Sequence, residues 1–219
     1  MKIRIHPQNR RSPYVMTPAL GVTVHTRPLR ILDFDIECRP LHWIGGDYVS
    51  REVTAIAWAW IHDPANVVCR LLGHDDPVTM LLDFVDDFNQ ADLVTGHYIR
   101  GFDLPLLNSA LIEYELPPLA TKMVQDTKVD LIRRTGLSVS QENLGATFGL
   151  VHPKVGMNQA TWRSANRLTP EGLEIVRERV IGDVRQHIEL RQRLLDRGYL
   201  KPPSIWASGG MDPLPEYQP

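Results

Sequence analysis

The chain has 219 residues, a net charge of −2 and an apolar fraction of 43%, the size and make-up of one globular domain with tails. A balance so near neutral excludes a polycation that holds nucleic acid by bulk charge, and no apolar run is long enough for a signal peptide or a membrane span. Two cysteines, Cys38 and Cys69, are too few for a disulfide framework and point to reduced thiols in a cytoplasm.

Residues 1–27 form a basic N-terminal extension. No acid precedes Asp33, whereas Lys2, Arg4, Arg10, Arg11, Arg27 and Arg30 do, a bias compatible with phosphate contacts. Short alternating runs at Lys2 to Ile5 and Gly21 to Thr26 can pair as a hairpin around the loop from Pro7 to Pro18. Ile31 to Glu37 then reads as a central strand, because Leu32, Phe34 and Ile36 alternate with Asp33, Asp35 and Glu37. Three carboxylates on one face repel unless a cation intervenes. Asp35 and Glu37 lie about 6.8 Å apart along such a strand, so both can reach one hard, oxygen-seeking ion. An exposed amphipathic strand is the plainer alternative.

Val53 to Ile61 and Asn66 to Leu72 continue as strands of a meander, and Val78 to Phe88 has the apolar spacing of a helix. A short buried strand, Ala91 to Thr95, ends at Gly96, and a helix follows from Phe102 to Tyr114. Asp126 to Ile132 is expected as strand or turn, and Gln141 to Phe148 as helix. The last helix opens at Thr169-Pro170-Glu171 and runs to Arg197. Residues 28–200 therefore form a mixed α/β domain, and the Pro/Gly-rich residues 201–219 form a C-terminal tail.

Two further acids stand in suggestive places. Asp103 begins a helix directly after a glycine-flanked loop at the carboxyl end of a strand, where α/β folds place their sites; favouring the helix dipole is the simpler role. Asp183 and His187 interrupt the inward stripe of Leu173, Val176, Val180, Leu190 and Leu194 on the last helix. A buried carboxylate needs a partner, either a metal shared with Asp35 and Glu37 or an arginine.

Taken together, Phe34-Asp35-Ile36-Glu37, then Gly96-His97 with Gly101-Phe102-Asp103-Leu104-Pro105 and Leu107, then Asp183-Val184 with Leu190 resemble the three motifs of the DEDD 3′→5′ exonuclease superfamily. The likeness is specifically to the proofreading exonuclease domain of family B DNA polymerases, and it spans Arg30 to Leu195 in order. It implies a ribonuclease-H-like fold, a mixed central sheet flanked by helices. It also implies two Mg²⁺ or Mn²⁺ ions held by Asp35, Glu37, Asp103 and Asp183, and hydrolysis of single-stranded DNA from its 3′ end to nucleoside monophosphates, with RNA left open. A stand-alone enzyme of a phage or bacterial sort is expected. A monomer is the default, with a polymerase or other replication protein as a conceivable partner.

The pattern also departs from the family. The tyrosine that precedes the last aspartate by four residues is replaced by Arg179, and the asparagine after Gly96-His97 by Tyr98. Tyr98 and His187 are nominated to orient the attacking water in its place, His187 against the alternative of a core histidine bonded to a neighbour. His97, Phe102, Lys154, Trp162 and Arg179 are expected to grip nucleic acid, with Lys122, Lys128, Arg163 and Arg167 as further candidates. A module that kept the fold and lost catalysis, and a ribonuclease-H-like endonuclease, are the rival readings. Cys38-x₃-His42 with Cys69-x₄-His74 fits no zinc spacing well.

Overall fold

A computed structural model describes residues 27–40, 51–132, 135–152 and 155–208. The proposed hairpin of the first 26 residues, Lys154 and His42 lie outside them. Six described strands form one sheet in the order β3-β2-β1-β4-β5-β6. They are β1 (Ile31–Pro40), β2 (Arg51–Trp60), β3 (Val68–Leu71), β4 (Leu93–Gly96), β5 (Lys122–Asp126) and β6 (Ser204–Trp206). The first three make an antiparallel meander; β4 and β5 then add parallel to β1, and β6 closes the edge antiparallel to β5. Helices flank this mixed sheet, the arrangement expected of a ribonuclease-H-like domain.

The two faces of β1 and β2 are filled differently. Leu32, Phe34 and Ile36, with Ile56 and Trp58, bury against α1 (Pro77–Gln90) and α2 (Asp103–Glu113) through Phe84, Phe88, Leu104 and Leu107. On the other face β2 offers only Ala55, Ala57 and Ala59, and these pack with Val176, Val180 and Val184 of the long helix α6 (Pro170–Asp196). Strand register sets Asp33 beside Ala59, Asp35 beside Ala57 and Glu37 beside Ala55. A methyl group is the smallest side chain that still buries apolar surface, so this stripe lets α6 lie close over the acidic face of β1.

Two elements depart from the sequence expectation. Ser204–Trp206, assigned to the tail, pairs with β5 and is clasped by Arg100, whose guanidinium donates to Ser204 O at 2.7 Å and to Val124 O at 3.1 Å. The ordered sheet therefore reaches Trp206, beyond the expected boundary at residue 200. The strand-or-turn region at Asp126 resolves into the end of β5 and a short helix, α3 (Thr127–Leu131), capped by the Asp126 carboxylate on Val129 N. Helix α4 (Gln141–Phe148) falls where expected, and α5 (Gln159–Asn166) was not anticipated. No described helix is long and apolar enough to cross a membrane.

Candidate functional site

Strand β1 carries Asp35 and Glu37 on the face covered by α6, and a register irregularity follows immediately between Glu37 and Cys38. Such a bulge bends the strand and re-aims the side chains beside it. From above, the inward stripe of α6 brings down Asp183, which is 1% exposed. One carboxylate oxygen from each of Asp35, Glu37 and Asp183 lies within 4.8 Å of the others. At that separation two unit charges repel by about 3.5 kcal/mol for an effective dielectric near 20, so three together demand positive charge. All the donors are hard oxygens, the set that Mg²⁺ and Mn²⁺ prefer. Among the described residues this is the group able to hold a metal ion, and Cys38 and Cys69 sit on different strands outside it.

Asp103 lines the same cleft of about 190 Å³ but stands apart from the three-oxygen group. It is 3% exposed in the first turn of α2, and its Oδ1 accepts a hydrogen bond from Ile36 N at 3.2 Å. Burial pushes its carboxyl up to about 8; the Ile36 N–H opposes this and the Asp126 and Glu37 charges add to it. Gly96, at the end of β4, makes the approach possible. A Cβ there would meet Ile99 Cγ2 at 2.3 Å and Phe34 O at 2.8 Å.

Positive charge is already present. Arg179, one turn before Asp183, ion-pairs through Nε with Glu37 and places Nη2 3.9 Å from Asp183 Oδ2. Its Nη1 donates to Val155 O at 2.6 Å, and the guanidinium lies 5.4 Å from the ring centre of Trp162. Burial works against the charge, yet Glu37, Asp183 and Asp35 together hold the guanidinium above its ordinary value. Of the two partners expected for Asp183, the arginine is Arg179, and the acidic pair with which a metal would be shared lies beside it. Trp162, Arg179 and Glu142 line an adjoining cleft of about 330 Å³.

His187 does not reach this cleft, which corrects its nomination as a water-orienting group. It is 2% exposed, with Nδ1 at 2.6 Å from Asp33 Oδ2 and Nε2 at 2.9 Å from Thr127 Oγ1, so both ring nitrogens are engaged in the core. Thr127 Oγ1 lies in turn 2.9 Å from His97 Nδ1. A continuous chain Asp33–His187–Thr127–His97 therefore ends on the wall of the acidic cleft. Burial raises the Asp33 carboxyl, against the pull of His187 and Arg191.

Tyr98 and Phe102 line the same cleft. Tyr98 holds a left-handed φ of 75°, and its ring carries Lys128 Nζ at 4.0 Å from its centre; Phe102 stands at the N-cap of α2. The Asp126 carboxylate pins their loop, accepting from Tyr98 N at 3.0 Å and Arg100 N at 2.9 Å. Sequence reasoning missed this role of Asp126, and that of Thr127, although an Asp-Thr pair at a strand-to-helix exit is itself a capping signal. Lys122 is turned to another task, its Nζ donating to Asn89 O at 3.1 Å and Ala91 O at 3.0 Å at the C-terminal end of α1.

Fold and site together define a mixed α/β domain with an acidic cluster beside the carboxyl end of β4. No protein-family model matches the chain, and no curated protein does. Among solved structures, the family B DNA polymerase of the hyperthermophilic archaeon Pyrobaculum calidifontis is similar in fold, with a TM-score of 0.62 at 20% identity. The similarity covers 77% of this chain and 25% of the polymerase, so the match spans about a quarter of that protein's length.

Proposed function

We propose that this chain is a divalent-metal-dependent 3′→5′ exonuclease acting on the 3′ ends of single-stranded DNA, with RNA to be tested beside it. The convergence of Asp35, Glu37 and Asp183 within 4.8 Å, from a strand and a helix far apart in sequence, carries the reading. A pure binding module gains nothing from clustered negative charge facing a polyanion. Asp35, Glu37 and Asp183 would hold Mg²⁺ or Mn²⁺, and Asp103 would join them from the cleft wall. The chemistry such an ion supplies when bound is activation of water and neutralisation of the phosphodiester. Tyr98 and Phe102 offer stacking surfaces to the terminal nucleotides, and Trp162 extends them past Arg179. His97 is oriented by Thr127, and His187 with Asp33 acts through it as a positioning pair.

One observation favours a second reading. Arg179 already pairs with Glu37 and approaches Asp183, as it would in a module whose acidic cluster is structural. End-labelled single strands of DNA and RNA, incubated with Mn²⁺ or Mg²⁺, separate these possibilities. A ladder growing from the 3′ end supports the exonuclease, internal cuts an endonuclease, and retention without cleavage the binding module. Asp35→Ala is expected to lower cleavage by more than about 100-fold with the fold intact, since even outer-shell partners of a metal are worth about 10–100-fold. Near-normal degradation by that variant would refute the site.

A further inference from the structure

The Arg179 guanidinium stands within the acidic group, and its charge changes how many ions that group can accept. Asp35, Glu37 and Asp183 contribute three negative charges. Arginine keeps its proton at any physiological pH, so it offsets one of those charges within the group. The fourth acid, Asp103, lies outside the three-oxygen set and is bound to Ile36 N. A second divalent ion would bring two further positive charges to a centre where Arg179 already supplies one, leaving less negative charge for that ion to neutralise.

Arg179 is also fixed where it is. Its side chain is 13% exposed, and α6 delivers it one turn from Asp183. Nε is committed to Glu37 and Nη1 to Val155 O at 2.6 Å. The face of Trp162 supports the guanidinium plane. Leaving would break all of these contacts and expose Glu37 to the other two carboxylates. A mobile surface arginine has no such anchors.

We infer that Arg179 is a built-in second cation, so that the centre takes one divalent ion where the sequence motifs lead one to expect two. This rests on the metal-dependent reading of the site, but it concerns the number of ions and not the reaction. In this arrangement Glu37 would be shared between the ion and the guanidinium, while Asp35 and Asp183, joined by Asp103 from the cleft wall, would supply the remaining oxygen ligands.

The test is a Mn²⁺ titration of the full chain, followed by calorimetry and by electron paramagnetic resonance. The wild type is expected to bind one Mn²⁺ per chain with the spectrum of an isolated ion, and Asp35→Asn to lose it. Arg179→Met is expected to bind two, with the line broadening of a coupled pair. Its first ion should bind at least about tenfold tighter, a unit positive charge having left its neighbourhood. Arg179→Lys, which restores a charge, should return to one. Two coupled ions in the wild type would overturn the inference, even if Arg179→Met failed to fold. So would an unchanged titration in Arg179→Met, Mn²⁺ that survives Asp35→Asn, or no Mn²⁺ bound by any form. A wild type with one ion and no cleavage of any strand would leave this inference standing and remove the exonuclease. Two ions with a 3′ ladder would do the reverse.

Discussion

Asp103 gives the cluster a pH signature that can be measured without any substrate. Its carboxyl is pushed up to about 8 by burial, from an ordinary 3.8 in the unfolded chain. The folded state therefore holds this proton over a pH range in which the unfolded state releases it, and stability must fall as pH rises from about 4 to about 8. Integrating between pH 5 and pH 8 gives a loss on the order of 4 kcal/mol from this one group, by linkage over that interval. Asp103→Asn removes the ionisation and keeps an oxygen that can accept from Ile36 N. Urea unfolding in chelator at pH 5 and pH 8 would compare the two proteins. The variant should already lead at pH 5, and its lead should widen by about 4 kcal/mol by pH 8. Titrating groups that do not interact with Asp103 cancel in the difference. A gap that changes by less than about 1 kcal/mol between the two pH values would refute the argument that burial keeps Asp103 neutral until a cation arrives.

His187→Ala should cost about 3–5 kcal/mol in urea unfolding, because it strips the fully buried Asp33 of its partner, and adding Asp33→Asn should recover part of that loss; a cost below about 1 kcal/mol would show that the pair is not coupled. Gly96→Ala should destabilise by about 1–3 kcal/mol, since its new Cβ meets a backbone carbonyl at 2.8 Å that cannot step aside. Wild-type thermal stability in the Gly96→Ala variant would mean that β4 can shift away from Phe34.

The carboxylate strand and the inward face of α6 were legible because each obeys a period that local sequence displays. Alternation placed Asp33, Asp35 and Glu37 on one face of β1, and 3,4 spacing placed Asp183 and His187 inside. What those side chains then touch was not legible. Arg179 reaches Glu37 across 142 residues and His187 reaches Asp33 across 154, and no local spacing encodes such a pairing. Reading His187 as a group near the metal followed from its position one turn after Asp183, which fixed its face correctly but not its depth. Helix α5 escaped because eight residues make little more than two turns, too short for a helical period to stand out, and β6 because three residues are too few to alternate. The alanine stripe of β2 was in plain view as Ala55, Ala57 and Ala59. Its meaning needed the register that sets it beside the acids.

That register also explains why the cluster forms at one level of the sheet and not another. Four residues of helix advance about 6.0 Å, and two residues of strand about 6.8 Å, so a helix lying antiparallel to a strand can meet it in step. Helix α6 meets β1 in this way. Arg179 meets Glu37, Asp183 falls among Asp35 and Glu37, and His187 meets Asp33. The outer rungs set a base against an acid and are satisfied within the chain. The middle rung sets carboxylate against carboxylate, and Arg179 Nη2, 3.9 Å from Asp183 Oδ2, offsets part of that repulsion. Moving α6 by one turn would bring Asp183 onto Asp33, deep in the core and away from the cleft. The four-residue spacing of Arg179, Asp183 and His187 is therefore what holds the acid-on-acid level at the mouth of the cleft, where a cation can enter and a phosphodiester can follow.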